Sequence, residues 1–206
     1  MQTFAIIPAA GRSLRMGRPK LLLPWGQTTV LGHVLETWAA SRVDRVVLVV
    51  HPEDSPIVAI GAAAGAHVVQ PSSAPSEMKD SVQLALDYIS EFAPHSTDAW
   101  LLAPADMPTL TVGTIDALVG AYEASLAADS AVEPRIWAPR SGGRRGHPVL
   151  FPWSLSAELA ELGPDQGINA LVVRHEVAYV EAAADAILDD LDTPEDYERL
   201  RVRHGR

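Results

Sequence analysis

The sequence predicts an α/β fold: a mostly parallel sheet with helices on both sides. Two observations carry this prediction. Short apolar runs of strand length alternate with segments of helical spacing along the chain, the pattern of βα units. Most of the apolar runs are continuous rather than alternating, as strands buried on both faces require.

Taken in order, the first strand is expected over Phe4–Ile7 and the first helix over Thr29–Ala40. A strand at Val46–Val50, a helix at Ser55–Ala64 and a strand at His67–Val69 follow. The segment SEMKDS, Ser76 to Ser81, leads into a helix read as Ser81–Phe92, with Asp80 or Ser81 as its N-cap. Trp100–Ala103 is the next strand and Val112–Ala128 the next helix. The stretch from Ser130 to Gln166 is richer in Arg, Gly and Pro and less regular, with a strand at Pro148–Phe151 and a helix at Leu155–Leu162. A last strand is expected at Val177–Val180 and a last helix at Glu195–Arg203, starting at Thr193 or Pro194 with proline in the first turn.

The 206 residues, 48% of them hydrophobic, suffice for one domain spanning 1–206. Residues to about 110 read as a first part of regular βα units, and those from about 111 onward as a second, less regular part on the same sheet. A formal net charge of −10 argues against nucleic-acid or anionic-membrane partners, which need a basic face. The absence of cysteine excludes disulfides, thiolate metal sites and cysteine nucleophiles. The opening MQTFAIIPAAG has too short an apolar run for a signal peptide, and no stretch approaches a membrane span. A soluble, cytoplasmic protein is expected.

Against that acidic background, Arg12, Arg15, Arg18 and Lys20 place four of the chain's 16 cations within nine residues, directly behind the first strand. Ligands of open α/β sheets bind beyond the carboxyl ends of strands. Ala9, Ala10 and Gly11 leave backbone N–H groups accessible to an anion. The local sequence is neither a P-loop, since RPK rather than K-[ST] follows Gly17, nor a G-x-G-x-x-G fingerprint. Asp106 in PADMP follows an apolar run and is expected at a strand's carboxyl end, where it either faces the same crevice or caps the next helix. Asp190 and Asp192 precede the last helix, where a capping role competes with a ligand role.

The stretch PAAGRSLRMGRPKLLLP resembles the signature loop of the MobA-like nucleotidyltransferases, A-G-x-S-x-R-M-G-x-x-K, and in particular their molybdenum cofactor cytidylyltransferase branch. PADMPTL, GRRGHPVLF, GPDQG and DLDTPEDY extend the resemblance in family order over nearly the whole chain. It implies a Rossmann-like three-layer α/β/α fold of the nucleotide-diphospho-sugar transferase type. The resemblance further implies transfer of CMP from CTP to molybdenum-bound molybdopterin, with release of pyrophosphate. Alternatives are another phosphorylated acceptor (a sugar, a polyol or phospholactate), or a binding protein that delivers cofactor to a molybdenum hydroxylase.

Carried over residue by residue, the resemblance makes Pro8, Ala9, Ala10, Gly11, Arg12, Arg15 and Lys20 nucleotide-binding, with Lys79 and Ser81 near the base and ribose. It makes Lys20, Arg15 and Asp106 catalytic, and Asp106 and Asp192 the ligands of Mg2+. Arg144, Arg145, Gly146, His147, Asp165 and Gly167 fall on the acceptor side, although a solvated hairpin also accounts for the arginines. PAAG, where the guanylyl-transferring branch resembles L-A-G-G, points to a cytosine base. After DQG the branch often continues with alanine and arginine. Here Ile168 and Asn169 stand instead, removing a cation on the acceptor side.

Overall fold

The computed structural model describes residues 1–128, 134–182 and 185–204. Strand β1 (Thr3–Ala9) leads through two single 3₁₀ turns to a small hairpin of β2 (Pro24–Trp25) and β3 (Thr28–Thr29). Then come α1 (Val30–Ala39), β4 (Arg45–Val50), α2 (Ser55–Ala63), β5 (His67–Val69), α3 (Met78–Ser90), β6 (Ala99–Leu102) and α4 (Val112–Ala128). The remainder comprises β7 (Ile136–Ser141), β8 (Arg144–Arg145), β9 (Val149–Pro152), α5 (Ser156–Ala160), α6 (Asn169–Arg174), β10 (Val177–Glu181) and α7 (Pro194–Arg203).

The sheet runs in the order β10-β7-β9-β6-β1-β4-β5, with β8 paired to β7. Strands β1, β4, β5 and β6 are parallel, while β9 lies antiparallel between β6 and β7. Continuous apolar strands follow directly from helices on both faces. Ala5, Ile7, Leu48, Val50 and Leu101 pack against α1, α2, α4 and α7, whereas Phe4, Ile6, Val47, Val49 and Trp100 pack against α3, α5 and α6. This is the three-layer arrangement the alternation predicts.

The stretch from Ser130 to Gln166 is more regular than its composition suggests, apart from residues 130–133, which lie outside the described part. It holds β7, β8, β9 and α5. Gly142 and Gly143, both at positive φ (+55° and +79°), form the two-residue turn between β7 and β8; such turns need φ > 0 at both positions. The turn at Gly142 and Gly143 reverses the chain, so β8 and then β9 both run antiparallel to β7, and β9 stacks Phe151 on Trp100, with ring centroids 4.1 Å apart. The second half of the chain thereby extends the sheet built by the first.

Candidate active site

Because β1 and β6 are parallel neighbours, the loops that follow them emerge at the same end of the sheet. Buried Met16 and Leu21 anchor the loop after β1, leaving Arg12, Arg15 and Arg18 exposed. A 3₁₀ turn at Lys20–Leu22 directs Lys20 inward, and its backbone N–H donates to Ser13 Oγ at 3.3 Å. The Lys20 ammonium forms an ion pair with Asp106 and donates to Asp192 Oδ1 at 3.2 Å. Asp192 Oδ2 accepts from Arg15 at 2.5 Å. Burial lowers the Lys20 pKa, but the Asp106 charge and the hydrogen bonds to Asp106 and Asp192 outweigh it and leave the group above the ordinary lysine value. The cation is firmly protonated.

Asp106 is 8% exposed, and its backbone carbonyl accepts from Leu191 N at 3.1 Å, tying the loop after β6 to the one before α7. It does not cap the following helix; Thr111 Oγ1 does so, accepting from Thr114 N. The capping reading also fails for Asp192, since α7 is capped by Thr193 in a reciprocal box with Asp196. Asp190 lies at the same rim, its pKa raised by desolvation on its protein side and then by the Asp106 and Asp192 charges. One further contact was not legible in the sequence. Buried Asp189 is held by Arg199 and Arg203 of α7, which fixes the start of this acidic loop.

Among the described residues, no three His, Asp or Glu side chains converge on one point as a metal cage would. Asp106 Oδ1 is nevertheless buried without a hydrogen-bond partner. One such oxygen, with Asp192 beside it, suits a hard divalent cation that takes one or two protein carboxylates and completes its shell with water and phosphate oxygens.

These groups share a cleft of about 390 Å³ with Pro8, Ala9, Ala10, Gly11, Ser81 and Glu77. Two predicted nucleotide ligands point elsewhere. Arg12 donates to His51 Nε2 at 2.9 Å and Glu53 Oε2 at 2.8 Å and lines an adjoining cleft of about 440 Å³ with Ala10, Gly11 and Arg18. Lys79 donates to the Gly163 carbonyl at 2.8 Å and lines a second cleft. The N-cap of α3 is Glu77, and Asp80 stands at N3, accepting from Ser76 N and Glu77 N at 3.1 Å.

The second cleft, about 370 Å³, brings Lys79 together with Arg145, His147, Gly167, Ile168 and Asn169 and shares Glu77 and Met78 with the first. Arg145 donates to Asn169 Oδ1 at 2.7 Å. His147 is pushed below the ordinary histidine value, chiefly by burial and also by the Arg145 charge, against the pull of Leu102 O, Asp106 and Asp190. Gly146 supports this motif from behind: a Cβ there would overlap the Ile187 backbone carbonyl and lie 2.6 Å from Ile187 Cβ. Arg144 and Asp165 do not line the cleft.

Residues 5–179 match the MobA-like NTP transferase domain. The chain belongs to that family. This MobA-like domain is 28% identical to the purine catabolism protein PucB of Bacillus subtilis over 205 residues, 94% of this chain and 93% of that protein. It is 26% identical to the molybdenum cofactor cytidylyltransferase of Escherichia coli, across 97% and 95% of the two chains. Its fold superposes on the crystal structure of Rv0371c from Mycobacterium tuberculosis in complex with manganese, with a TM-score of 0.72 at 29% identity, covering 97% of this chain and 98% of that one. The MobA-like domain is thus a nucleotidyltransferase by family. Its acidic loop with Asp190 and Asp192 lies beyond the matched span. No helix among the described residues is long and apolar enough to cross a membrane.

Proposed function

We propose that this MobA-like domain transfers CMP from CTP to the phosphate of molybdenum-bound molybdopterin, forming the cytosine dinucleotide and pyrophosphate. The observation that carries the reading is the union, in one cleft, of the PAAG backbone (Pro8–Gly11), Lys20, Asp106 and Asp192, opening beside a second cleft lined by Lys79 and Arg145. The full-length likeness to a molybdenum cofactor cytidylyltransferase supports this acceptor.

The chemistry needs no protein nucleophile. An oxygen of the acceptor phosphate attacks the α-phosphorus in line; the bond from the α-phosphorus to the bridging oxygen breaks, and pyrophosphate leaves with that electron pair. Catalysis is then positioning and charge stabilisation. Backbone N–H groups of Ala10 and Gly11 and the Lys20 ammonium meet the phosphate oxygens, and Lys20 stabilises the charge that grows on the leaving group. Mg2+ held by Asp106 and Asp192 would supply further positive charge to the triphosphate. Pro8 and the Ala10 methyl narrow the space where the base lies and favour a pyrimidine. A molybdenum hydroxylase is the natural recipient of the product.

Pyrophosphate release, measured across nucleotides and acceptors, tests the reading. CTP with molybdenum-bound molybdopterin is expected to be strongly preferred, and Pro8→Leu with Ala10→Gly should erode the preference over GTP. Equal use of CTP and GTP by the unaltered protein removes the base assignment. Turnover with a sugar or polyol phosphate alone moves the acceptor to another class.

A further inference from the structure

The two cations of the acceptor cleft are held by neutral oxygens rather than by carboxylates. The chain carries ten more acidic than basic groups, and Arg12, Arg15, Lys20, Arg42, Arg140 and Arg199 each rest on a carboxylate. Lys79 and Arg145 do not, and of the other described cations without one, Arg18 and Arg45 lie over aromatic rings and Arg174 donates to Gln166, all outside this cleft. Among the described residues each is held only by a neutral oxygen, Gly163 O at 2.8 Å and Asn169 Oδ1 at 2.7 Å. Glu77 is the one acidic residue lining the cleft and, among the described residues, forms no ion pair with either; the Asp80 carboxylate beside Lys79 is engaged by the backbone N–H groups of Ser76 and Glu77. A neutral oxygen fixes a cation in place without cancelling its charge, and both groups retain free N–H donors. Such a pair is suited to a phosphate dianion, which accepts charge-assisted hydrogen bonds.

The remaining walls, Met78, Leu102, Val149, Phe151, Ile168 and Val172, are apolar. A cavity of about 370 Å³ has the size of a small-molecule site. We propose that Lys79 and Arg145 form the phosphate seat for a phosphate-monoester acceptor with an apolar or planar body, and that Asn169 is the positioning residue that holds Arg145 without neutralising it. This deepens the nucleotidyltransferase reading and rests on it, because Glu77 and Met78 wall both clefts and set the acceptor beside the nucleotide. Lys79 thereby moves from the nucleotide to the acceptor. Asn169 is no lost cation; an arginine there would face Arg145 and repel it.

Phenyl phosphate, titrated calorimetrically into the protein without nucleotide or metal, tests the seat independently of whether CTP is the donor. Saturable binding is expected, weakened about tenfold or more by Arg145→Ala and by Lys79→Ala and unchanged by Lys20→Ala. Asn169→Asp keeps the hydrogen bond but converts it to a salt bridge, so it should weaken binding about as much, while Asn169→Gln retains most of the affinity. Thermal melts confirm that each variant is folded. No saturable binding, weakening by Lys20→Ala but not by Arg145→Ala, wild-type affinity in Asn169→Asp, or equal losses in Asn169→Asp and Asn169→Gln each overturn the proposal. Failure of the CTP reading would instead appear as no CTP-dependent pyrophosphate release with the phenyl phosphate binding pattern intact.

Discussion

Lys20 occupies a position where a cation, two carboxylates and a substrate compete for the same contacts. Its pairing with Asp106 and Asp192 keeps the Lys20 ammonium protonated and aimed into the cleft. Asp106→Ala is expected to lower turnover by at least about 10²-fold and to leave the fold intact, because the Leu191 N–H contact uses the backbone carbonyl. Asp192→Ala should approach that loss and Asp190→Ala should be much milder. A metal titration of pyrophosphate release checks the ranking, and the reverse order would move the second ligand by two positions. Lys20→Ala should reduce kcat more than it raises the nucleotide KM, since charge on the leaving pyrophosphate grows in the transition state. Arg15→Ala, on an exposed arginine, should act mainly on KM. At this scale the sequence was most informative where residue type and loop position agree, as for Lys20 and Asp106. It was silent on where a long side chain finds its partners: Arg12 pairs with His51 and Glu53, residues about forty positions away that no local pattern encodes.

Asp192 immediately precedes the N-cap of α7 and Lys79 lies in the first turn of α3, so capping and placement are one property there. Thr193 begins α7 immediately after Asp192 and accepts from Asp196 N at 3.2 Å while donating to Asp196 Oδ2 at 2.7 Å. Thr193→Ala is expected to cost about 1 kcal/mol, a fall in Tm of about 2–4 °C for a chain of this size, and to reduce activity beyond what the lost stability explains, because Asp192 loses its fixed backbone. Asp80→Ala, which removes the N3 cap of α3, should cost similar stability but perturb the acceptor more through neighbouring Lys79. Thermal melts set beside initial rates separate the two. Of the elements, α4 was legible residue for residue, and α1 and α2 to within about a residue, because long apolar periodicity meets clear start signals. The start of α3 was read three residues late, since an aspartate serves equally at N-cap and at N3. Strand β7 was hidden because Pro139 and Arg140 interrupt its apolar run. Helix α6, at six residues, is too short to show a period.

For the whole molecule, the parallel order of β1 and β6 brings the basic loop and the acidic loops to one sheet end, and the chain's −10 charge makes that local cancellation consequential. In the free protein Lys20 and Arg15 are occupied by Asp106 and Asp192, so a bare triphosphate meets cations that are already paired, and a bare divalent cation finds an unpartnered oxygen only at Asp106 Oδ1, on a carboxylate shared with Lys20. A triphosphate alone must detach the cations from their carboxylates, leaving those carboxylates exposed to its own negative charge. A cation alone must displace Lys20 and Arg15 and leave them without counter-charge. Together they would exchange partners: phosphate oxygens would take Lys20 and Arg15, and Asp106 and Asp192 would be freed to hold the cation, which would supply positive charge to the triphosphate. Binding of the two is therefore expected to be strongly coupled, with nucleotide affinity rising by about 5- to 150-fold when the metal is present. Linkage requires the metal's affinity to rise by the same factor when nucleotide is bound. Calorimetry in both orders, with Mn2+ followed independently by its paramagnetic effect on water relaxation, measures both arms. Asp192→Ala should shrink the factor, since it releases Arg15 and loosens Lys20 in advance. Independent binding of metal and nucleotide to the unaltered protein would show that these ion pairs do not gate the site.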